Sequence, residues 1–188
     1  GQLRLLAEAT TQMTGALDVT DACARLARIA VPALADLSAV DLVDQPGRGP
    51  SRRVAVAARD APDEALLREL GTLRAYGPGT ASDTGRVLDG GEPVLIAELP
   101  ERGAERYPDD PAAAAVFERL RLRSAMVLPV RARGRVLGAL TLLTQHPYGR
   151  RYGPRDVHLA ADLAGRAGLA VDNARLYEVE HAAALTLQ

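Results

Sequence analysis

The chain has 188 residues, 47% of them hydrophobic, which suits one packed domain with helical extensions. Its formal charge of −1 gives no bulk positive field to draw in nucleic acid or an anionic membrane, and all 23 basic residues are arginine. The single cysteine, Cys23, excludes an intrachain disulfide and fits a reducing, cytoplasmic setting; no apolar run approaches the roughly 18 residues of a membrane span.

In chain order, Leu3, Leu6, Thr10, Met13 and Leu17 recur at 3-4-3-4 spacing and predict a first helix with one apolar stripe. Asp18, three residues before Asp21, predicts the cap of a second helix with Cys23, Leu26, Ala27, Ala30 and Leu34 on its inner face. Pro32 ends or kinks that helix. Leu37 to Val43 reads as a strand, Gln45 to Ser51 as a turn or loop, and Arg53 to Ala58 as a second strand. Pro62 and Asp63 open a helix that buries Leu66, Leu67, Leu70 and Leu73.

The segment Ala75 to Ala81 carries Gly77, Pro78 and Gly79 and is irregular. A short helix over Asp83–Asp89 follows, then a strand over Pro93–Ala97, a charged loop from Leu99 to Pro111 and a short helix over Ala112–Leu120. Two apolar runs flanking Arg131–Arg135, with Gly134 in the turn, predict a β-hairpin. From Pro154 a long Ala-rich helix runs toward Gln188, about 50 Å at roughly 1.5 Å per residue. It carries two apolar sides: the 3-4 series Val157 to Ala174, and Leu169, Leu176 and Ala183 at sevenfold spacing. Two sides imply two partners, the helix's own sheet and another subunit. Strands joined by a hairpin, with helices gathered at the ends of the sequence, predict an α+β fold with a largely antiparallel sheet.

Motifs for chemistry are few. There is no phosphate-binding Gly-x-x-x-x-Gly-Lys loop and no Gly-x-Ser-x-Gly nucleophile elbow. His146, His158 and His181 are scattered, and one cysteine cannot build a thiolate site, so no metal or cofactor is expected. Cys23 reads as buried filler on the second helix. Arg86 either pairs with a ligand carboxylate or phosphate or makes a surface ion pair with Asp83 or Asp89.

Three stretches carry a family resemblance: Gly85–Val94, Arg123–Val130 and Gly134–Leu140, followed by the terminal helix with Asn173-Ala174-Arg175-Leu176-Tyr177. Together they resemble a GAF domain, related to PAS, over about residues 18 to 178. The resemblance implies a sheet of five or six antiparallel strands. The N- and C-terminal helices would cover one face, and short helices and loops would roof a pocket on the other. The implied ligand-pocket residues are Tyr76, Thr84, Arg86, Ile96, Met126, Leu128, Leu140 and Leu142. The last four serve as an apolar pocket floor or as plain core. Gly138 is expected to leave room for a packed helix. The Leu99–Pro111 loop is expected to act as a lid.

The GAF resemblance implies a non-catalytic sensory and dimerisation module. Residues 1–17 would be a signalling helix, 18–178 the GAF domain, and 179–188 the start of a linker helix to an effector outside this chain. Homodimerisation through Leu3, Leu6, Met13, Leu169 and Leu176 is expected, with an unknown small-molecule ligand and no nucleic-acid or membrane partner. The chain opens on Gly1 and closes within a helix, so a longer bacterial protein is expected. Ala183–Gln188 is similar to the lead-in of a metal-dependent serine/threonine phosphatase of the sporulation-regulator type. A histidine-kinase regulator with a purely structural dimer module is the alternative. Members that reduce methionine sulfoxide need several cysteines, and this chain has one.

Overall fold

Short polar side chains set the helix starts. Asp18, Asp60, Ser82 and Asp110 each accept a hydrogen bond from the backbone N–H three residues on, at 2.7, 2.9, 2.9 and 3.0 Å. Each such cap satisfies a donor the helix cannot, and contributes about 1 kcal/mol. The computed structural model describes residues 1–45, 48–74 and 77–187. Its elements are α1 (Gln2–Thr14), α2 (Val19–Ala30), β1 (Leu37–Gln45), β2 (Arg48–Ala58), α3 (Ala61–Leu73), α4 (Asp83–Gly90), β3 (Val94–Ile96), α5 (Gly103–Arg106), α6 (Pro111–Leu120), β4 (Leu122–Ala132), β5 (Arg135–Gln145) and α7 (Pro154–Thr186).

The five strands form one sheet in the order β2-β1-β5-β4-β3, with every neighbouring pair antiparallel. Helices α1, α2 and α7 cover one face and α3, α4 and α6 the other, so the α+β expectation holds. The predicted inner face of α2 is buried from Cys23 to Leu34. Small side chains let α7 lie close to the sheet: Ala160, Ala164, Ala167 and Gly168 are all buried. Helices α1 and α7 run side by side in the same direction. Thr10 Oγ1 accepts from Arg166 at 2.7 Å, and further along Glu178 Oε1 accepts from the Val19 N–H at 3.2 Å.

Three expectations need correction. The predicted turn Gln45–Ser51 is mostly strand: Gln45 pairs with Arg48, and β2 runs through Gly49 and Pro50. Proline is tolerated there because β2 is an edge strand and the missing N–H costs no ladder bond. The segment from Leu99 to Pro111 holds a one-turn helix and is packed. Leu99 is buried, its N–H donates to Arg123 O at 2.7 Å, and the Gly103 N–H donates to Glu118 Oε1 at 2.8 Å.

Gly138, finally, leaves room for a strand rather than a helix. A Cβ there would stand 2.1 Å from the carbonyl oxygen of Asp41 on β1. The close helix–sheet approach lies at Gly168, where a Cβ would stand 1.8 Å from Arg131 O.

Candidate functional site

Alternation along the hairpin decides what each sheet face offers. Met126 pairs with Leu142 and Leu128 with Leu140. All four are fully buried in the cluster that faces α2 and α7. The residues that alternate with them, Ala125, Val127, Thr141 and Leu143, face the other way. The expected pocket floor is therefore one residue out of register. The four large side chains are core beneath the terminal helices, and the smaller alternate set lines the roofed face. Thr141, a polar residue inside an apolar strand, was the available signal for which face stays open.

On that face lies a cavity of about 70 Å³ between the sheet, α3, α4 and the Leu99–Pro111 segment. Apolar walls come from Leu67, Leu70, Leu99, Phe117 and Leu143. Tyr107 stands edge-on to Phe117, with ring centroids 5.6 Å apart. A buried ion pair and a half-buried carboxylate–arginine cluster stand beside the cavity. Arg53 Nε and Nη2 each lie 3.1 Å from a separate oxygen of Asp41, and Arg53 Nη1 donates to Leu67 O at 3.1 Å. Asp83, at the start of α4, is held between Arg86 and Arg106. Desolvation opposes the charge on Arg106, but Asp83 and Tyr107 outweigh it and hold the guanidinium pKa above its ordinary value. The Oγ1 of Thr141 is buried with no hydrogen-bond partner among the described residues.

Of the expected pocket residues, Thr84 and Ile96 border this cavity. Arg86 instead points to solvent and takes up the ion pair with Asp83. Tyr76 lies outside the described residues. Sequence reasoning gave Asp83 only as a partner for Arg86 and passed over Arg53, Arg106 and Tyr107, which approach it only through the fold.

A larger concavity lies on the opposite side of the molecule. An open groove of about 590 Å³ runs between α1 and α7, lined by Met13, Ala16, Leu17, Leu169, Ala174 and Tyr177 among others. The five expected dimer residues divide here. Leu6 and Met13 are buried within their own chain, whereas Leu3, Leu169 and Leu176 are 85%, 56% and 44% exposed.

Cys23 is buried on α2, away from both concavities, and burial pushes its thiol pKa up to about 12. Among the described residues no three His, Cys, Asp or Glu side chains gather to hold a metal ion, and no helix is long and apolar enough to cross a membrane.

The GAF domain family model matches residues 4–171. Among solved structures the chain is similar to the GAF domain of a phosphoenolpyruvate-protein phosphotransferase from Coxiella burnetii. That match has 18% identity and TM-score 0.68, and covers 95% of this chain and 96% of that one. The corresponding Acinetobacter domain gives 16% identity, TM-score 0.65 and coverage of 94% and 96%. Free methionine-R-sulfoxide reductase from Neisseria meningitidis, in complex with its substrate, gives 16%, 0.64, and 94% and 91%. At these identities the likeness speaks for the fold alone. Comparison with curated proteins gives no match. Family match and architecture agree: the chain belongs to the GAF family, regulatory sensory domains found in kinases and other signalling proteins.

Proposed function

We propose that this GAF domain is a non-catalytic sensory and dimerisation module that passes a signal through α1 and α7 to an attached output domain. The observation that carries this reading is the far end of α7. Beyond Arg175 every described residue of α7 is exposed, among them Leu176, Tyr177, Val179 and Leu185. A single helix with that much apolar surface is marginal in water and calls for a partner helix. A second copy brings an identical α1 and α7 and covers the groove around Leu169 symmetrically. The output domain we favour is a metal-dependent serine/threonine phosphatase, on the character of Ala183–Gln188.

Sedimentation velocity tests the dimer. A two-chain species at about 100 μM is expected, and a monomer at that concentration overturns the reading.

A second reading, a structural dimer module with no ligand, is favoured by one observation. Pockets for ligands of ordinary size hold about 300–1,000 Å³, and the cavity on the roofed face holds about 70 Å³. Native mass spectrometry of freshly purified protein separates the two. A retained small molecule supports sensing, and a bare chain supports scaffolding.

A further inference from the structure

The side of α7 turned away from its own sheet carries matching chemistry on either side of Asn173. Three residues out, Leu176 answers Ala170. Four residues out, Tyr177 answers Leu169. Seven residues out, Glu180 answers Arg166. At 3.6 residues per turn these steps keep to one stripe of the helix. Ala160, Ala164, Ala167 and Val171 are buried on the opposite side, against the sheet. Along the stripe Leu169, Leu176 and Tyr177 are 56%, 44% and 61% exposed, and Arg166, Asn173 and Glu180 are exposed with them.

The charges at the two ends of this stripe are unmatched within the chain. Arg166 donates to Thr10 Oγ1 at 2.7 Å but pairs with no carboxylate among the described residues, Asp162 one turn before it included. Glu180 makes no hydrogen bond and no ion pair among the described residues. Asn173, whose amide offers both donor and acceptor, likewise has no partner among them. Two apolar surfaces stand open beside these groups. One is the groove between α1 and α7, lined in part by Leu169, Asn173 and Tyr177. The other is the outer half of α7, from Leu176 to Leu185.

Resting on the dimer proposed above, we propose that each α7 lies antiparallel in the groove of the other copy, with the two-fold axis crossing at Asn173. A two-fold contact is reciprocal, so every match off the axis occurs twice. Arg166 meets the partner's Glu180, Leu169 meets the partner's Tyr177, and Ala170 meets the partner's Leu176. The two Asn173 amides meet on the axis. A parallel pair in register would instead set Arg166 on Arg166 and Glu180 on Glu180, and like charges so placed repel. The antiparallel seat reaches α1 as well. Because α1 and α7 run the same way, Leu3, seven residues before Thr10, comes level with the partner's Leu187. These two side chains are 85% and 89% exposed within one chain.

The test is sedimentation equilibrium of the parent, Arg166→Glu, Glu180→Arg and the double swap, at low salt. Both positions are exposed, so the fold is expected to survive, and circular dichroism checks it. Each single change turns two attractive pairs into two repulsive ones, and the dimer is expected to weaken about tenfold or more. The double swap restores both pairs and is expected to come within about twofold of the parent. In a parallel dimer all four proteins would associate alike. Leu187→Cys gives a second readout. The antiparallel seat holds the two copies of that position about 40 Å apart at roughly 1.5 Å per residue, beyond the reach of a disulfide. Single changes without effect, a double swap as weak as they are, or a ready disulfide through Leu187→Cys each overturns the antiparallel seat while the dimer stands. A monomeric parent overturns both.

Discussion

Asp41 and Arg53 sit opposite one another on β1 and β2, and their side chains meet two bonds at a time. The Asp41 side chain is 1% exposed and that of Arg53 11%. Removing one partner of such a pair strands a buried charge, whereas replacing both with apolar groups is tolerated far better. Arg53→Ala is expected to lower unfolding free energy by about 3 kcal/mol or more. The double change Asp41→Leu, Arg53→Met is expected to recover most of that loss. Urea titration of the three proteins measures both. A single variant as stable as the parent would show that water replaces the guanidinium.

Two glycines three residues apart on α7 should respond oppositely to one substitution. At Gly165 a Cβ meets nothing within 4 Å, so Gly165→Ala is expected to stabilise by about 0.5–1 kcal/mol through helix propensity. At Gly168 the Cβ would collide with the backbone of Arg131, so Gly168→Ala should destabilise by about 1–3 kcal/mol. Thermal unfolding at one fixed protein concentration reads both signs.

Stability should fall at high pH, and Cys23 accounts for part of the fall. Burial raises its thiol pKa from 9.0 to about 12. An unfolded chain releases that proton above pH 9 while the folded chain keeps it. The contribution is therefore intact below pH 9 and declines by about 1.4 kcal/mol per pH unit toward pH 12. Burial likewise pushes the Tyr152 phenol above its ordinary range, which adds to the decline at the upper end. Cys23→Ala is expected to flatten the slope between pH 9 and 10. Native protein should also resist thiol-labelling reagents at pH 8 until denaturant is added.

Charge placed on the exposed apolar side of α7 should separate the proposed dimer without unfolding the chain. Leu169 and Leu176 are exposed within one chain, so glutamate at both costs little in the monomer. Sedimentation of Leu169→Glu, Leu176→Glu is expected to give one chain at a concentration where the parent gives two. A dimer that survives both changes would place the contact elsewhere.

Local chemistry wrote much of the fold into the sequence. Asp18 marks the start of α2 because its cap depends on the next three residues alone, and Gly134 marks the hairpin for the same reason. The cavity was harder to read. Both faces of β4 and β5 are buried, so Met126 and Val127 carry the same apolar signal although they point to opposite sides. The Asp41–Arg53 pair depends on a register shift between Val40 and Asp41, which no local pattern announces. Arg106 meets Asp83 across 23 residues only because the segment between Leu99 and Pro111 folds back onto α4.

The shared direction of α1 and α7 lays two parallel helices along one face of the sheet. Both advance the same way although the whole sheet separates them in sequence. In the relay proposed above, tension or twist at the outer end of one would reach the far end of the other. The bond between Thr10 and Arg166 is one rung between those two rails. In that relay, an event that tilts the sheet beneath them would change how far one rail slides past its neighbour.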